Sequence, residues 1–220
     1  MQEPIQSQTY VSKLRVGTKT IENVHEDIEE TVLARLLPHY KKANLAFPPK
    51  ELCFIVLKAE KILEVWGENG QDWRFIRSYP VLGASGVAGP KLREGDRQVP
   101  EGIYRITWLH PNSSYHLSMK LNYPNEYDHQ QANRERRTQL GGDIFIHGKD
   151  LSIGCVAIGD ASIEDLFITV SKVGINNVKV IIVPNDLRKK EPIKGEYYHR
   201  LPWLKELYAE LKTELTNYCR

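Results

Sequence analysis

Apolar residues recur at helical spacing near both ends of the 220-residue chain. Within residues 25 to 45, one predicted face consists of Ile28, Val32, Leu33, Leu36 and Leu37. Pro38 is expected to end or bend this helix, because proline lacks the N–H that a helix interior uses. The sequence FPPKE at 47–51 then indicates a linker. WLKELYAELKTELTNY at 203–218 has the same periodicity and predicts a second amphipathic helix.

A third helix is predicted from residue 162 onward, where apolar positions again follow the helical period. Ser162 and Asp165 have the spacing of a capping box, in which two side chains satisfy the free N–H groups of a helix N-terminus. Gly174 stands where a C-terminal cap is expected, because glycine adopts the left-handed conformation without a steric penalty. The buried stripe is expected to comprise Ile163, Leu166, Phe167, Val170 and Val173.

Short runs rich in β-branched and aromatic residues occupy most of the chain from residue 52, with Gly, Pro and Asn between them. LCFIVLKAEKILEVW predicts a hairpin with its turn near KAEK. Further strands are predicted at WRFIRSYPV, IYRITWLH, YHLSMKLN, DIFIH, CVAI and VKVIIVP. The pattern therefore indicates a mainly β domain, of the β-rich α+β class, with a few helices.

Two long stretches rich in glycine, proline and polar residues interrupt these strands. They are GASGVAGPKLREGDRQVPEG at 83–102 and NYPNEYDHQQANRERRTQLGG at 122–142. Loops of this length within a compact domain are more often functional than idle. GASGVAG lacks the GK[ST] ending of a P-loop and the spacing of a dinucleotide-binding fingerprint, so a phosphate cradle is not predicted.

Composition and charge narrow the classes of partner. A hydrophobic fraction of 41% is ordinary for a globular protein, and a net charge of +2 predicts neither a nucleic-acid nor a membrane-surface partner. No apolar run approaches the ~20 residues that span a bilayer. The first residues, MQEPIQSQTYVSKLRVG, lack the apolar core of a signal peptide. Composition leaves open a cytoplasmic protein and an exported one whose signal peptide is absent from this sequence.

Three cysteines, at positions 53, 155 and 219, are too few and too scattered for a disulfide framework. Cys53 lies in the apolar run LCFIVLK and is expected to be a buried hydrophobic residue. Cys155 follows His147 by eight positions in IHGKDLSIGC. This spacing allows three interpretations. The two residues form a nucleophile with its base, they are half of a metal site, or they have no joint role. A metal site needs further ligands, and CxxC, HxxxH and HExxH are absent from the sequence.

DIFIH predicts a strand ending at His147, and CVAI predicts the next strand, beginning at Cys155. If these strands are neighbours, both side chains emerge at the same end of the sheet. An imidazole within hydrogen-bond reach would take the thiol proton and leave a thiolate able to attack a carbonyl carbon. Gly154 permits close backbone approach, and its amide and that of Cys155 are candidates for an oxyanion hole. The spacing alone favours a pair without a joint role.

Three motifs in one order along the chain resemble a known family. HG followed by SxGC is similar to the active-site signature of the L,D-transpeptidase catalytic domain, the YkuD-like fold. GPKLREGDRQVPEGIYRI at 89–106 resembles the GPKxxGDxxTPEGxY segment of that family. NYPNEYD at 122–128 and the compressed HGKDLSIGC resemble one subgroup, the murein L,D-transpeptidases of the YafK type. The resemblance covers residues 50 to 185 and implies a YkuD-like β-sandwich or barrel with peripheral helices.

Carried over by position, the resemblance implies that Cys155 is the acyl-accepting nucleophile and that His147 is its base. The backbone carbonyl of Gly148 would orient the imidazole. The implied oxyanion and active-site loop comprises Ser152, Ile153 and Gly154. Most family members have His where Ile153 stands and Arg where Ala157 stands. The resembled subgroup shares both departures and includes hydrolytic members, so the subgroup is favoured and both cross-linking and hydrolysis stay open.

Five residues are candidates for substrate binding, namely Tyr123, Asn125, Tyr127, Asp128 and Lys149. The first four lie in the second long loop, where a scaffolding role is the competing interpretation. Lys91 and Arg93 are also candidates for contacts with peptide carboxylates, although exposed cations are usually solvated.

The resemblance implies that the substrate is the stem peptide of peptidoglycan and that neither a cofactor nor a metal takes part. Cys155 would attack the meso-diaminopimelate–D-Ala bond and form a thioester. An amine of a second stem then gives a 3–3 cross-link. Water gives trimming of tetrapeptides to tripeptides by an L,D-carboxypeptidase, or release of wall-attached protein. An inactive wall-binding module is the alternative of another class.

Three regions are expected along the chain. They are an N-terminal helical arm at 1–46, the catalytic domain at 47–190, and a C-terminal segment with an amphipathic helix at 191–220. The implied substrate places the protein in the periplasm or at the cell wall. Partner proteins and the oligomeric state do not follow from the sequence.

Overall fold

The computed structural model describes residues 17–70 and 72–219. The helices are α1 (Ile21–Lys42), α2 (Glu126–Arg134), α3 (Asp160–Val173), α4 (Tyr197–Arg200) and α5 (Leu204–Glu214). The strands are β1 (Glu51–Leu57), β2 (Ile62–Glu68), β3 (Arg74–Pro80), β4 (Gly102–His110), β5 (Ser118–Leu121), β6 (Phe145–His147), β7 (Val156–Ala157) and β8 (Val178–Val183). The part of the predicted arm before residue 17 lies outside the described residues.

The eight strands form one mixed, curled sheet in the order β3-β2-β1-β8-β4-β5-β6-β7. β1 pairs with β8, and β6 with β7, in parallel, and the other neighbours are antiparallel. Each strand that the β-branched runs predicted is present. The predicted hairpin is also confirmed, with Leu57 opposite Ile62 across the KAEK turn.

The chain that follows β3 returns to the far end of this sheet. The Ala157 N–H donates to Gly83 O at 2.9 Å, and the Gly83 N–H donates to Ala157 O at 3.3 Å. The Leu82 N–H donates to the same Ala157 oxygen at 2.8 Å. β7 therefore lies between β6 and the segment at 82–83.

Both faces of the central strands are buried. Successive side chains of a strand point to opposite faces, and each face belongs to a hydrophobic cluster. In β1, Phe54 and Val56 belong to the hydrophobic cluster that also contains side chains of α1 and α3. Cys53 and Ile55 belong to the second cluster, with side chains of α5. The helices therefore cover the central strands on both sides.

The first predicted helix is confirmed, although it does not end at Pro38 and one residue of its predicted face is exposed. α1 runs four residues past Pro38, to Lys42. Its fully buried residues, Val24, Val32, Leu36 and Tyr40, follow a spacing of four or eight positions. Leu37 was predicted on the packed face but is 44% exposed. The packed face therefore follows a row of i, i+4 positions, which leaves Leu37 beside it.

The predicted stripe of α3 is buried, and Gly174 caps the helix with φ of 87°. The predicted capping box was wrong, because α3 begins at Asp160 and its N-cap is Gly159, without a side-chain cap. Asp165 is instead buried and accepts hydrogen bonds from three side chains outside α3. They are Arg35 at 3.0 Å, Arg77 at 3.2 Å and Tyr79 at 2.9 Å.

The second long loop contains a helix, α2, that the sequence did not predict. Asn125 is its N-cap and accepts from the Asp128 N–H at 3.0 Å. Asp128 in turn accepts from the Asn125 N–H at 2.9 Å, which completes a capping box. This box, on a mostly polar nine-residue segment, sets where the helix starts.

The predicted C-terminal amphipathic helix is present as α5, and Leu204, Leu207, Tyr208 and Leu211 are buried on the sheet. α1 and α5 thus both pack on the strands. The boundaries at 46/47 and 190/191 stay predictions. Among residues 17–70 and 72–219, no helix has the length and apolar character needed to cross a membrane.

Candidate active site

The strands that carry His147 and Cys155 are direct neighbours, as the sequence predicted. β6 and β7 pair in parallel, with Ile146 opposite Val156 and His147 opposite Ala157. This register places Cys155 level with Phe145, whose N–H donates to the Cys155 Sγ at 3.4 Å. His147 lies two residues further along β6, so the two side chains are diagonal neighbours on adjacent strands.

The His147 side chain is buried and held by the backbone. Its Nδ1 lies 2.6 Å from the carbonyl oxygen of Gly148. A carbonyl only accepts hydrogen bonds, so Nδ1 carries the proton and Nε2 keeps its lone pair. Burial lowers the pKa of His147, although the bond to Gly148 raises it in part. The imidazole is therefore a neutral base at neutral pH.

The Cys155 thiol occupies a mostly buried position at the start of β7. It donates to the carbonyl oxygen of Asp143 at 3.6 Å and accepts from the Phe145 N–H. Burial raises the pKa of Cys155 above its ordinary value, so the group is a neutral thiol at neutral pH. No hydrogen bond joins the Cys155 thiol to His147 among the residues that the structure describes.

Hydrogen bonds also fix the loop that leads into Cys155. Ser152 Oγ donates to the Cys155 carbonyl oxygen at 2.6 Å. The Gly154 N–H donates to Ser85 Oγ at 2.7 Å, and Gly154 has φ of 96°, a conformation that favours glycine. The N–H of Cys155 has no acceptor within 17–70 and 72–219. Of the two predicted oxyanion amides, only that of Cys155 is free.

A groove of about 600 Å³ lies beside Ile153, two residues before Cys155. Its charged lining residues are Lys91, Glu94, Arg97, Lys120 and Asp143. The carbonyl oxygen of Asp143 also accepts from the Cys155 thiol, so one lining residue of the groove contacts Cys155. Ile153 lines the groove and is 74% exposed. Cations and carboxylates together make this a surface suited to a peptide that carries both charges.

Two of the groove cations are already paired. Lys91 Nζ lies 2.6 Å from Asp96 Oδ1, and Lys120 Nζ lies 2.7 Å from Asp143 Oδ1. Lys91 also donates to the Arg93 carbonyl oxygen at 2.9 Å. Arg97 has neither a salt bridge nor a side-chain hydrogen bond to any residue that the structure describes.

Of the five predicted substrate-binding residues, only Tyr123 lines the groove. Asn125 and Asp128 form the cap of α2, and burial raises the pKa of Asp128 to about 6. Tyr127 packs edge-on against Trp203, with ring centroids 6.0 Å apart. Lys149 Nζ donates to the Ser114 carbonyl oxygen at 2.7 Å. The last four residues therefore hold the scaffold around the groove.

The remaining cysteines lie apart from this arrangement. Cys53 is fully buried in the second cluster, and burial raises its pKa to about 12. Cys219 is exposed, and all three cysteines are free thiols. Within the described residues, no group of three or more His, Cys, Asp or Glu side chains could hold a metal ion.

Sequence reasoning missed Ser85 and Arg97, which contact the active-site loop and the groove. Ser85 lies in GASGVAG and Arg97 in the segment that follows it. Neither has a sequence spacing that indicates a role. Only the pairing of the segment after β3 with β7 brings Ser85 to the loop at 148–154, the proposed nucleophile loop.

Comparisons with known proteins agree with this fold and arrangement. The model of the YkuD family, the L,D-transpeptidase catalytic domain, matches residues 52–182. Over 162 residues the chain is 32% identical to the Escherichia coli (strain K12) protein named "Putative L,D-transpeptidase YafK". That alignment covers 71% of this chain and 62% of the relative, so the chain spans less than two thirds of that protein.

A solved structure shows the same fold. The crystal structure of the helical cell shape determining protein Pgp2 from Campylobacter jejuni matches with a TM-score of 0.51 and 24% sequence identity. The match covers 76% of this chain and 59% of that one. Together with the match of the family model to 52–182, this fold shows that the chain belongs to the YkuD family of L,D-transpeptidase catalytic domains.

Proposed function

We propose that the chain is a peptidoglycan-modifying cysteine L,D-transpeptidase. In it, Cys155 is the nucleophile and His147 the base. The observation that carries the proposal is the position of His147 at the end of β6 and of Cys155 immediately before the paired strand β7, with Ile153 of the intervening loop lining the groove. The hydrogen bond from His147 Nδ1 to the Gly148 oxygen supports the base role, because it directs the lone pair to Nε2. A peptidoglycan substrate would place the protein in the periplasm or at the cell wall.

The first half-reaction is acyl transfer to sulfur. Nε2 of His147 takes the thiol proton as Cys155 Sγ attacks the carbonyl carbon of the third stem residue, meso-diaminopimelate. The carbonyl oxygen becomes an oxyanion, and the N–H of Cys155 is its proposed donor. When the C–N bond breaks, the imidazolium gives its proton to the departing D-Ala amine. The products are a thioester on Cys155 and free D-Ala.

This chemistry starts from a neutral pair. The raised pKa of Cys155 and the lowered pKa of His147 both disfavour a preformed thiolate–imidazolium pair. The proton therefore moves as the bound carbonyl is attacked. Hydrogen bonds between catalytic groups are commonly long before substrate binds and shorten in the complex. We therefore expect substrate in the groove to bring the thiol and Nε2 into contact.

The second half-reaction decides the product. If a diaminopimelate amine of a second stem attacks the thioester, its proton passes to His147 and then to the departing sulfur, and a 3–3 cross-link forms. If water attacks, the product is a tripeptide. Ile153 is the observation that keeps hydrolysis as the second candidate, because its exposed side chain brings no second imidazole to the thioester.

Incubation of purified sacculi with the protein, followed by mass spectrometry of the muropeptides, tests both candidates. We expect new 3–3 dimers from the wild-type chain, and an increase in tripeptides at the expense of tetrapeptides would support hydrolysis instead. Cys155→Ala should abolish either change, whereas Cys219→Ala, at an exposed thiol, should leave it intact. Unchanged muropeptides with wild type, or the same products with Cys155→Ala, would disprove the enzymatic proposal and favour a wall-binding module.

A further inference from the structure

The glycine-rich sequence GASGVAG, which the proposed chemistry does not yet use, packs directly behind the nucleophile loop. We call residues 83–86 the backing segment. Gly83 exchanges backbone hydrogen bonds with Ala157 of β7. A Cβ placed on Gly83 would lie 2.1 Å from the carbonyl oxygen of Asp150. The backbone of the nucleophile loop therefore touches the backing segment where only glycine fits.

Ser85 links this segment to the nucleophile loop through its side chain. The Gly154 N–H donates to Ser85 Oγ at 2.7 Å, and Ser85 Oγ donates to the Arg97 carbonyl oxygen at 2.7 Å. A hydroxyl has one proton, and the Gly154 N–H can only donate. The Ser85 proton must therefore point to the Arg97 carbonyl, so both hydrogen bonds have a fixed direction.

The bond to Ser85 fixes the orientation of the peptide that enters Gly154. Gly154 has φ of 96°, in the left-handed region, so its own dihedral angles are set by contacts and not by a side chain. The next amide along the chain is the N–H of Cys155, which has no acceptor within the described residues. The chain is therefore held on both sides of the free Cys155 N–H, by Ser85 at the Gly154 N–H and by Ser152 at the Cys155 carbonyl oxygen.

We propose that Ser85 is a positioning residue for acyl transfer, which holds Gly154 so that the Cys155 N–H faces the developing oxyanion. This inference rests on the proposed function. A donor that is already oriented stabilises the oxyanion without reorganisation during the reaction. When the Ser85 hydroxyl is lost, the loop keeps its thiol but loses the contact that orients the amide.

The test compares two reactions of the same thiol in the full chain. Turnover of a purified disaccharide tetrapeptide passes through an oxyanion, whereas alkylation of Cys155 by iodoacetamide does not. We expect Ser85→Ala to lower kcat about 100-fold, the size of loss that misplaced catalytic groups produce, with KM nearly unchanged. The alkylation rate should stay within about twofold, because displacement of iodide needs no oxyanion donor.

Two further variants serve as controls. Ser85→Thr keeps the hydroxyl and should restore most of kcat. Ser78→Ala makes the same change at an exposed position of β3 and should leave both rates unchanged. Far-ultraviolet circular dichroism and melting temperature confirm that each variant is folded.

The possible outcomes separate this inference from the proposed function. Unchanged kcat in Ser85→Ala, or equal losses of turnover and alkylation, would overturn the positioning role while an active wild type upholds the proposed function. Failure of Ser85→Thr to restore kcat would also overturn it. If the wild type shows no Cys155-dependent turnover, the proposed function fails and this inference fails with it.

Discussion

Burial acts in opposite directions on the pKa values of the two central residues. It raises the pKa of Cys155, whose charged form is an anion, and lowers the pKa of His147, whose charged form is a cation. Each shift favours the neutral form. A neutral thiol reacts slowly with alkylating agents and oxidants, because the thiolate is the reactive species.

The reactivity of Cys155 should therefore rise with pH across the alkaline range. Because its pKa is raised, the thiolate is scarce at pH 7, and its fraction grows with pH throughout the range below the pKa. We expect the rate of iodoacetamide labelling at Cys155, followed by peptide mass spectrometry, to increase steadily from pH 7 to pH 9. A rate already at its plateau near pH 6 would show a preformed ion pair instead. Cys155→Ala gives the background from Cys53 and Cys219.

The sequence and the structure agree on some residues of the site and differ on others. The adjacency of His147 and Cys155 followed from two short apolar runs separated by a seven-residue loop, which the β6–β7 pairing confirms. Their catalytic roles stay predictions. The contact between Ser85 and Gly154 joins residues 69 positions apart, and no local pattern encodes a contact of that kind.

At the scale of elements, α1 is held to α3 by an apolar row and an ion-pair network. Leu36 is 2% exposed within that row, whereas its neighbour Leu37 is 44% exposed. Arg35 adds a salt bridge to Asp165, with the closest N···O distance 2.8 Å. Because Asp165 is buried, its charge depends on Arg35 and Arg77 for compensation.

Adjacent leucines of α1 give a matched test of this packing. Leu36→Ala should lower the free energy of unfolding by about 2–4 kcal/mol, because it removes buried methyl groups and leaves a cavity. Leu37→Ala removes the same atoms from a largely exposed position and should change it by about 0.5 kcal/mol or less. Urea unfolding measures both values. Equal losses would contradict the packing of α1 described above.

Helices were predicted correctly where buried residues recur at the helical period in the sequence. The prediction failed where hydrogen bonds of polar side chains determine whether a helix forms or where it starts. α3 was predicted because its apolar residues recur every three or four positions. α2 was missed because EYDHQQANR has no apolar stripe, and its start depends on Asn125 and Asp128. Polar contacts also explain why the predicted start of α3 was wrong. Asp165 has the spacing of a capping residue, but its carboxylate pairs with arginines of other elements.

At the scale of the whole molecule, a buried hydrogen-bond network joins the C-terminal helix to the loop before β4. Tyr208 of α5 donates to Glu101 Oε2 at 2.6 Å. The other oxygen of Glu101 pairs with Lys58 Nζ at 2.9 Å. Lys58 also donates to the carbonyl oxygens of Gly89 and Val99, at 2.8 and 2.9 Å. α5 thus supports the long loop at 83–102, which also lines the groove.

Removing one hydroxyl tests this connection. Tyr208→Phe leaves a buried carboxylate oxygen without its donor and should lower the free energy of unfolding by about 1.5–3 kcal/mol. Tyr198→Phe is the control, because the Tyr198 hydroxyl has no hydrogen-bond partner in the described part of the chain. Urea unfolding followed by tryptophan fluorescence gives both values. A Tyr208→Phe protein as stable as wild type would refute the contribution of this bond.

The pairing of Gly83 with Ala157 has a consequence for the design of inhibitors. Peptide ligands often bind by adding a strand to an exposed sheet edge, where unpaired backbone groups serve as a template. At β7 those groups are already bonded to the protein's own backbone. A strand-mimicking peptide therefore has no free template at Ala157. A compact electrophile that enters across the charged groove is the better starting scaffold.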